Sequence, residues 1–184
     1  SHGLAGNNLQ NVKITNCEIG YIGGAWNTDA AMGNGIQFGQ GGSNLEASYN
    51  YIYECYDAGV TYQKWSGSGE FNNIKFTNNL LTNNFDNIEI WSSDNGQMSN
   101  ILIEGNVMRD AGYCWSWEQR FDTGNVKIYA TNIYGGKNSY NTNSNNSLII
   151  RNNIFDNTRA NKFFDKEEGE EEVRGIARSM KNLE

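Results

Sequence analysis

The sequence predicts an all-β protein, a right-handed parallel β-helix of about five coils with a short acidic C-terminal helix or tail. Three observations predict it. First, five segments carry one apolar pattern: Val12-Lys-Ile-Thr-Asn-Cys17-Glu-Ile19, Leu45-Glu-Ala-Ser-Tyr-Asn50-Tyr-Ile52, Ile74-Lys-Phe-Thr-Asn-Asn79-Leu-Leu81, Ile101-Leu-Ile-Glu-Gly-Asn106-Val-Met108 and Leu148-Ile-Ile-Arg-Asn-Asn153-Ile-Phe155. Their registers step by 33 (17 to 50), 29 (50 to 79), 27 (79 to 106) and 47 (106 to 153) residues, the periods of a stacked-repeat protein. A unit this short cannot bury its own apolar face and must lie on its neighbour. Second, each segment is followed by another short alternating run. Third, the chain has no Pro and about thirty Asn. Pro lacks the amide that every inter-rung ladder needs.

The first strand of each coil follows from periodicity. Apolar residues two apart lie on one side of a strand. Val12, Leu45, Ile74, Ile101 and Leu148 therefore predict one inward stack, and Ile14, Ala47, Phe76, Ile103 and Ile150 a second. The bend after it is the position of Asn50, Asn79, Asn106 and Asn153, with Cys17 at the N-terminal end. Asn tolerates left-handed backbone angles and its amide can bond the rungs on both sides. These residues predict an asparagine ladder with no catalytic role. The next strand is Ile36-Gln-Phe38, Val60-Thr-Tyr62, Ile88-Glu-Ile90 and Val126-Lys-Ile128, with Phe163-Phe164 in the last coil. The long gaps 20–35 and 109–125 are insertions, which in a solenoid become loops on one face. After Phe164 the run Asp165 to Glu172 is acidic, Asp165 with Glu168 fits a capping box, and Val173, Ile176, Ala177 and Met180 follow a helical stripe. The domain reading is residues 1–164 for the β-helix and 165–184 for a capping helix or tail.

Composition limits function. The net charge is −7, much of it in the run Asp165 to Glu172; the remaining surface is mildly acidic, which argues against nucleic acid, a partner that needs a basic patch. No apolar stretch is long enough to span a membrane. Cys17, Cys55 and Cys114 lack metal-ligand spacing and read as free thiols. His2, the only His, lies in Ser-His-Gly and reads as a tag remnant without a catalytic role. The chain shows no signal peptide and starts directly in a coil, so a piece of a longer protein is expected.

Chemistry is expected on the outward positions of the second strand. One row is Gln37, Thr61, Glu89 and Lys127, and a second is Gly39, Gln63, Trp91 and Tyr129. Neighbouring rungs lie about 4.8 Å apart, so Glu89, Trp91, Gln63 and Tyr129 would share a patch. Rings beside amides and a carboxylate suit a carbohydrate, whose C–H faces pack on aromatics while its hydroxyls need hydrogen bonds. The insertion Gly112-Tyr113-Cys114-Trp115-Ser116-Trp117-Glu118-Gln119-Arg120 is expected to roof this face.

Gly33-Asn34-Gly35-Ile36-Gln37-Phe38, Tyr56-Asp57-Ala58-Gly59-Val60-Thr61, Ile88-Glu89-Ile90-Trp91, and Ala111-Gly112-Tyr113-Cys114-Trp115 with Gln119-Arg120 resemble successive motifs of bacterial parallel β-helix proteins of the pectate-lyase-like superfamily. That superfamily includes glycoside hydrolases of α-fucosidase and xylanase type. The resemblance implies a secreted or cell-surface protein acting on an oligo- or polysaccharide. In the resembling proteins the position of Gln37 is usually Glu, and the aromatic loop carries a His near Ser116 or Glu118. This chain has neither.

Three functions stay open. Glycoside hydrolysis needs two carboxyl groups, roughly 5–5.5 Å apart for retention and about 6.5–9.5 Å for inversion. Glu89 and Asp57 are the candidate acid and base, with Asp86 and Glu118 in reserve. Gln37, Gln63, Trp91, Trp115, Gln119 and Arg120 are the candidate sugar contacts. No cofactor is expected for that chemistry. A polysaccharide lyase would instead use Lys127 or Arg120, with Ca²⁺ held by Asp57 and Asp86. The third reading is a non-catalytic glycan-binding or structural module.

Overall fold

A computed structural model describes residues 2–24, 33–66, 69–92, 98–117, 130–135, 148–160 and 164–166. Fourteen strands are described, all paired in parallel: β1 (Leu4–Thr15), β2 (Glu18–Ile22), β3 (Ile36–Ser48), β4 (Tyr51–Cys55), β5 (Ala58–Lys64), β6 (Phe71–Thr77), β7 (Leu80–Thr82), β8 (Asp86–Ser92), β9 (Met98–Glu104), β10 (Val107–Ala111), β11 (Ile133–Gly135), β12 (Leu148–Arg151), β13 (Ile154–Thr158) and β14 (Phe164–Lys166). They form three faces of a solenoid. The first face stacks the starts of β1 and β3 on β5, β8, β11 and β14. The second stacks the ends of β1 and β3 on β6, β9 and β12. The third is β2, β4, β7, β10 and β13.

The repeat register sets the core. Val12, Leu45, Ile74, Ile101 and Leu148 are register partners in succession, as are Ile14, Ala47, Phe76, Ile103 and Ile150. The third face contributes Ile19, Ile52, Leu81, Met108 and Phe155. Between them Phe38, Phe76, Tyr62 and Phe71 pack ring on ring, with centroids 5.3 to 6.2 Å apart.

The asparagine ladder is present and buried. Asn50, Asn79, Asn106 and Asn153 are at most 2% exposed. Each Nδ2 donates to a strand carbonyl of the coil before it: Ile14, Ala47, Phe76 and Ile103, respectively. The main-chain N–H of Cys17 donates to Asn50 at the N-terminal end. The expected backbone angle is corrected. The left-handed residue is the one before the ladder: Asn16, Tyr49, Asn78, Gly105 and Asn152, with φ between 54° and 68°. The ladder Asn acts through its amide, not through its φ. A second rank of left-handed residues, Tyr21, Glu54, Asn83, Asp110 and Asn157, lies at the next corner.

Two boundaries differ from expectation. The strand beneath Ile88-Glu-Ile90 is Ile133-Tyr-Gly135, not Val126-Lys-Ile128. The insertion is therefore longer than alternation alone suggested, and 126–128 lies outside the described residues. β14 runs to Lys166 and pairs Asp165 with Tyr134, so paired strand extends two residues past the boundary at 164, across the position expected to cap a helix. Residues 167–184, including the predicted helical stripe, lie outside the described residues.

Candidate functional site

β3, β5 and β8 bring Gln37, Thr61 and Glu89 into one row by register, with Tyr134 of β11 following. Their neighbours Ile36, Phe38, Val60, Tyr62, Ile88 and Ile90 are in the core, so the alternation of a strand turns the row outward. Yet Gln37 is 6%, Thr61 0% and Glu89 8% exposed. An ordinary solvated strand face does not bury its polar residues. Buried polar groups require partners, and they have them. Gln37 Oε1 accepts from Asn34 Nδ2 at 2.9 Å. Glu89 Oε2 accepts from Thr61 Oγ1 at 3.1 Å and from Gln63 Nε2. The carboxylate of β8 is thus held by two residues of β5.

The second row is Gly39, Gln63 and Trp91. Gln63 and Trp91 are half-buried. The sequence reading missed Trp65, which follows β5 directly. Its ring lies over Gly39, where an added Cβ would come within 2.8 Å of it, and it remains 42% exposed. The usable signal was an aromatic residue just past an alternating strand. The main-chain N–H groups of Trp65 and Ser66 both donate to Gln40 Oε1, which fixes the turn.

Asp57 does not join Glu89. It sits at the corner before β5, half-buried, with its main chain bonded to Gly33 and Phe85. The β5–β8 register runs without a shift from Ala58 to Lys64, so no bend returns Asp57 to the row. It lies four residues before Thr61, roughly 13 Å along a strand at 3.3 Å per residue. That exceeds the about 6.5–9.5 Å between an inverting pair. Asp86, the reserve acid and possible Ca²⁺ ligand, is 2% exposed and accepts from the Thr131 main-chain N–H at 2.9 Å and hydroxyl at 3.4 Å. Among the described residues no three His, Cys, Asp or Glu side chains are placed to hold a metal ion.

Trp115 is also placed elsewhere. It does not roof Glu89. Its main-chain N–H donates to the Glu54 carboxylate, its Nε1–H donates to the Glu54 carbonyl at 3.0 Å, and its ring lies 6.4 Å from that of Tyr21. The loop turns to the third face because the next aromatic, Trp117, is drawn inward. Trp117 packs on Phe85 with Cys114 and Ala130 in a small second core, covered by the Arg159 guanidinium at 4.1 Å. Gln119, Arg120, Glu118, Lys127 and Tyr129 lie outside the described residues. Cys17, Cys55 and Cys114 are free thiols, and burial pushes the Cys55 thiol far up.

The fold and this polar, outward-facing row define a parallel β-solenoid with a candidate recognition face on its first sheet. The family model described as a right-handed β-helix region matches residues 1–108, more than half of the chain, and the chain belongs to that family. No match was found among curated proteins or among solved structures.

Proposed function

We propose that this β-helix is a carbohydrate-recognition domain. Its contact face is centred on Glu89, with Gln37, Gln63, Trp65 and Trp91 about it and Thr61 buried beneath as the partner of the carboxylate. The observation that carries this reading is the Glu89 carboxylate, outward-facing, almost buried and fixed by Thr61 and Gln63. A fixed acceptor beside tryptophan rings suits a sugar, which offers hydroxyl donors and C–H faces. Such a domain would meet its polysaccharide outside the cell, secreted or at the surface.

Glycoside hydrolysis, implied by the sequence resemblance, is the second reading. The same fixed Glu89 favours it, since a general acid must be positioned before its pKa matters. Against it, Gln37 stands two rungs away, about 10 Å, and an amide can neither give nor take the proton. Asp57 stands too far along the strand.

One experiment separates the two. Purified protein is incubated with soluble and insoluble plant and algal polysaccharides, and both retention and release of reducing ends are measured. Binding without release, weakened by Trp91→Ala, supports recognition. Release abolished by Glu89→Gln supports hydrolysis. Neither binding nor release removes both and leaves a structural module.

A further inference from the structure

A second aromatic surface lies on the third face, away from Glu89. Tyr51 and Tyr53 project from one side of β4 with ring centroids 4.6 Å apart. Tyr53 meets Tyr21 of β2 edge-on at 5.5 Å, and Tyr21 meets Trp115 at 6.4 Å. The register gives the four rings a direction. Gly20 pairs with Tyr53 and Ile22 with Cys55, so Tyr21 lies one step beyond Tyr53, and Trp115 is bonded over Glu54 beside it. The rings therefore run in a line along β4 towards the corner.

The line is exposed. Tyr21 is 64%, Trp115 45% and Tyr51 39% exposed. It is also built. Tyr53 lies over Gly20, where an added Cβ would come 2.4 Å from the ring, and its hydroxyl donates to Glu18. Tyr21 holds a left-handed φ of 56° at a position that the later coils fill with Glu54, Asn83, Asp110 and Asn157. A tyrosine there costs stability that Asn or Asp would avoid, as at Tyr49, but here the ring it holds meets Tyr53 and Trp115.

The charges choose the ligand. Carboxylates stand at both ends, Glu18 by Tyr53 and Glu54 under Trp115. Among the described residues no Lys or Arg ion-pairs with either. Such a surface repels uronates and sulfates but offers acceptors to hydroxyls and ring faces to C–H groups. We propose that Tyr51, Tyr53, Tyr21 and Trp115, with Glu18 and Glu54, form a binding site for a neutral polysaccharide chain, separate from the Glu89 face.

The test is affinity electrophoresis in gels cast with xyloglucan, glucomannan or mixed-linkage glucan, and with polygalacturonate as the acidic comparison. The wild type should be retarded by at least one neutral polymer and not by polygalacturonate. Trp115→Ala and Tyr21→Asn should each weaken that retardation, and together reduce affinity by about tenfold or more. Tyr21→Asn suits the left-handed backbone, so loss of binding with an unchanged melting curve cannot come from unfolding. Retardation lost in Trp91→Ala and kept in the Tyr21 and Trp115 variants overturns this site and leaves the first face standing. The reverse pattern supports this site and removes the first face. Retardation by polygalacturonate alone overturns it. So does a wild type that no polymer retards, including one whose dimer the Tyr21→Asn variant dissolves, which would make the rings an interface between copies.

Discussion

Asn79 gives two hydrogen bonds to one atom of the next coil: its Nδ2 and its main-chain N–H donate to Asn106 Oδ1 at 3.0 and 2.9 Å. The same pairing joins Asn50 to Asn79 and Asn106 to Asn153. Removing one member leaves buried partners on both sides unmade. Asn79→Ala should cost on the order of 1–3 kcal/mol in urea unfolding. Asn72, exposed on β6, should tolerate Ala within about 0.5 kcal/mol. Equal costs at the two positions would show that the ladder adds no stability.

Tyr49 stands in the left-handed rank just before the ladder, at φ 58°, among Asn16, Asn78, Gly105 and Asn152. It is 59% exposed, so little packing offsets the backbone cost. Tyr49→Asn should stabilise the protein by about 0.5–1 kcal/mol, part of the 1–2 kcal/mol that a left-handed angle costs an ordinary residue. Thermal unfolding measures it, and a lowered midpoint would mean that the ring contributes more than the angle costs.

The stacking was legible in the sequence because side chains alternate along a strand and the apolar residues repeat coil by coil. The inward rows of Leu45 and Ala47 needed nothing more. The row of Gln37, Thr61 and Glu89 was legible for the same reason, but its burial was not. Periodicity says which way a side chain turns, not what the rest of the chain lays over it. The buried amides at Asn34, Asn84, Asn87 and Asn132 were hidden because they sit in corners or, for Asn87, at the very start of a strand, where no period marks them. Asn84 and Asn87 bond each other, and Asn87 bonds Asn132 at 2.6 Å. Trp115 was misplaced because a loop's polar flanks do not state its direction. That direction was set by Trp117 finding Phe85.

Glu46 contributes to the acid dependence of the second face. The Ser48 hydroxyl at 2.6 Å holds its carboxyl below the ordinary range, helped by Lys13 at 2.9 Å and opposed by partial burial. A carboxyl whose folded pKa is lowered contributes stability above its unfolded pKa, near 4.5, and loses it as pH falls through the folded value. Glu46→Gln should flatten the stability curve below about pH 4.5. The change should be a few tenths of a kcal/mol, because Lys13 is exposed and screened. A curve of unchanged slope in urea unfolding between pH 3 and 6 would remove Glu46 from the acid response.

Glu89 separates folding from recognition. Although it lies on an outward position, its burial makes it part of the fold as well. Glu89→Ala would strip the acceptor from Thr61 Oγ1 and Gln63 Nε2 and should cost about 1–3 kcal/mol. Glu89→Gln keeps the size and one acceptor oxygen, and the Thr61 hydroxyl can rotate to meet the amide. Its cost should stay below about 1 kcal/mol. Stability and chemistry can then be read apart in one variant. If the domain only binds, Glu89→Gln should weaken retention on the polysaccharide modestly with a nearly unchanged melting point. If it hydrolyses, the same variant should lose turnover by about 10²-fold or more, the scale of a general acid or base, while still binding. A Gln variant that unfolds as readily as the Ala variant would mean that the charge itself holds β5 to β8, and Glu89 would then be a structural residue.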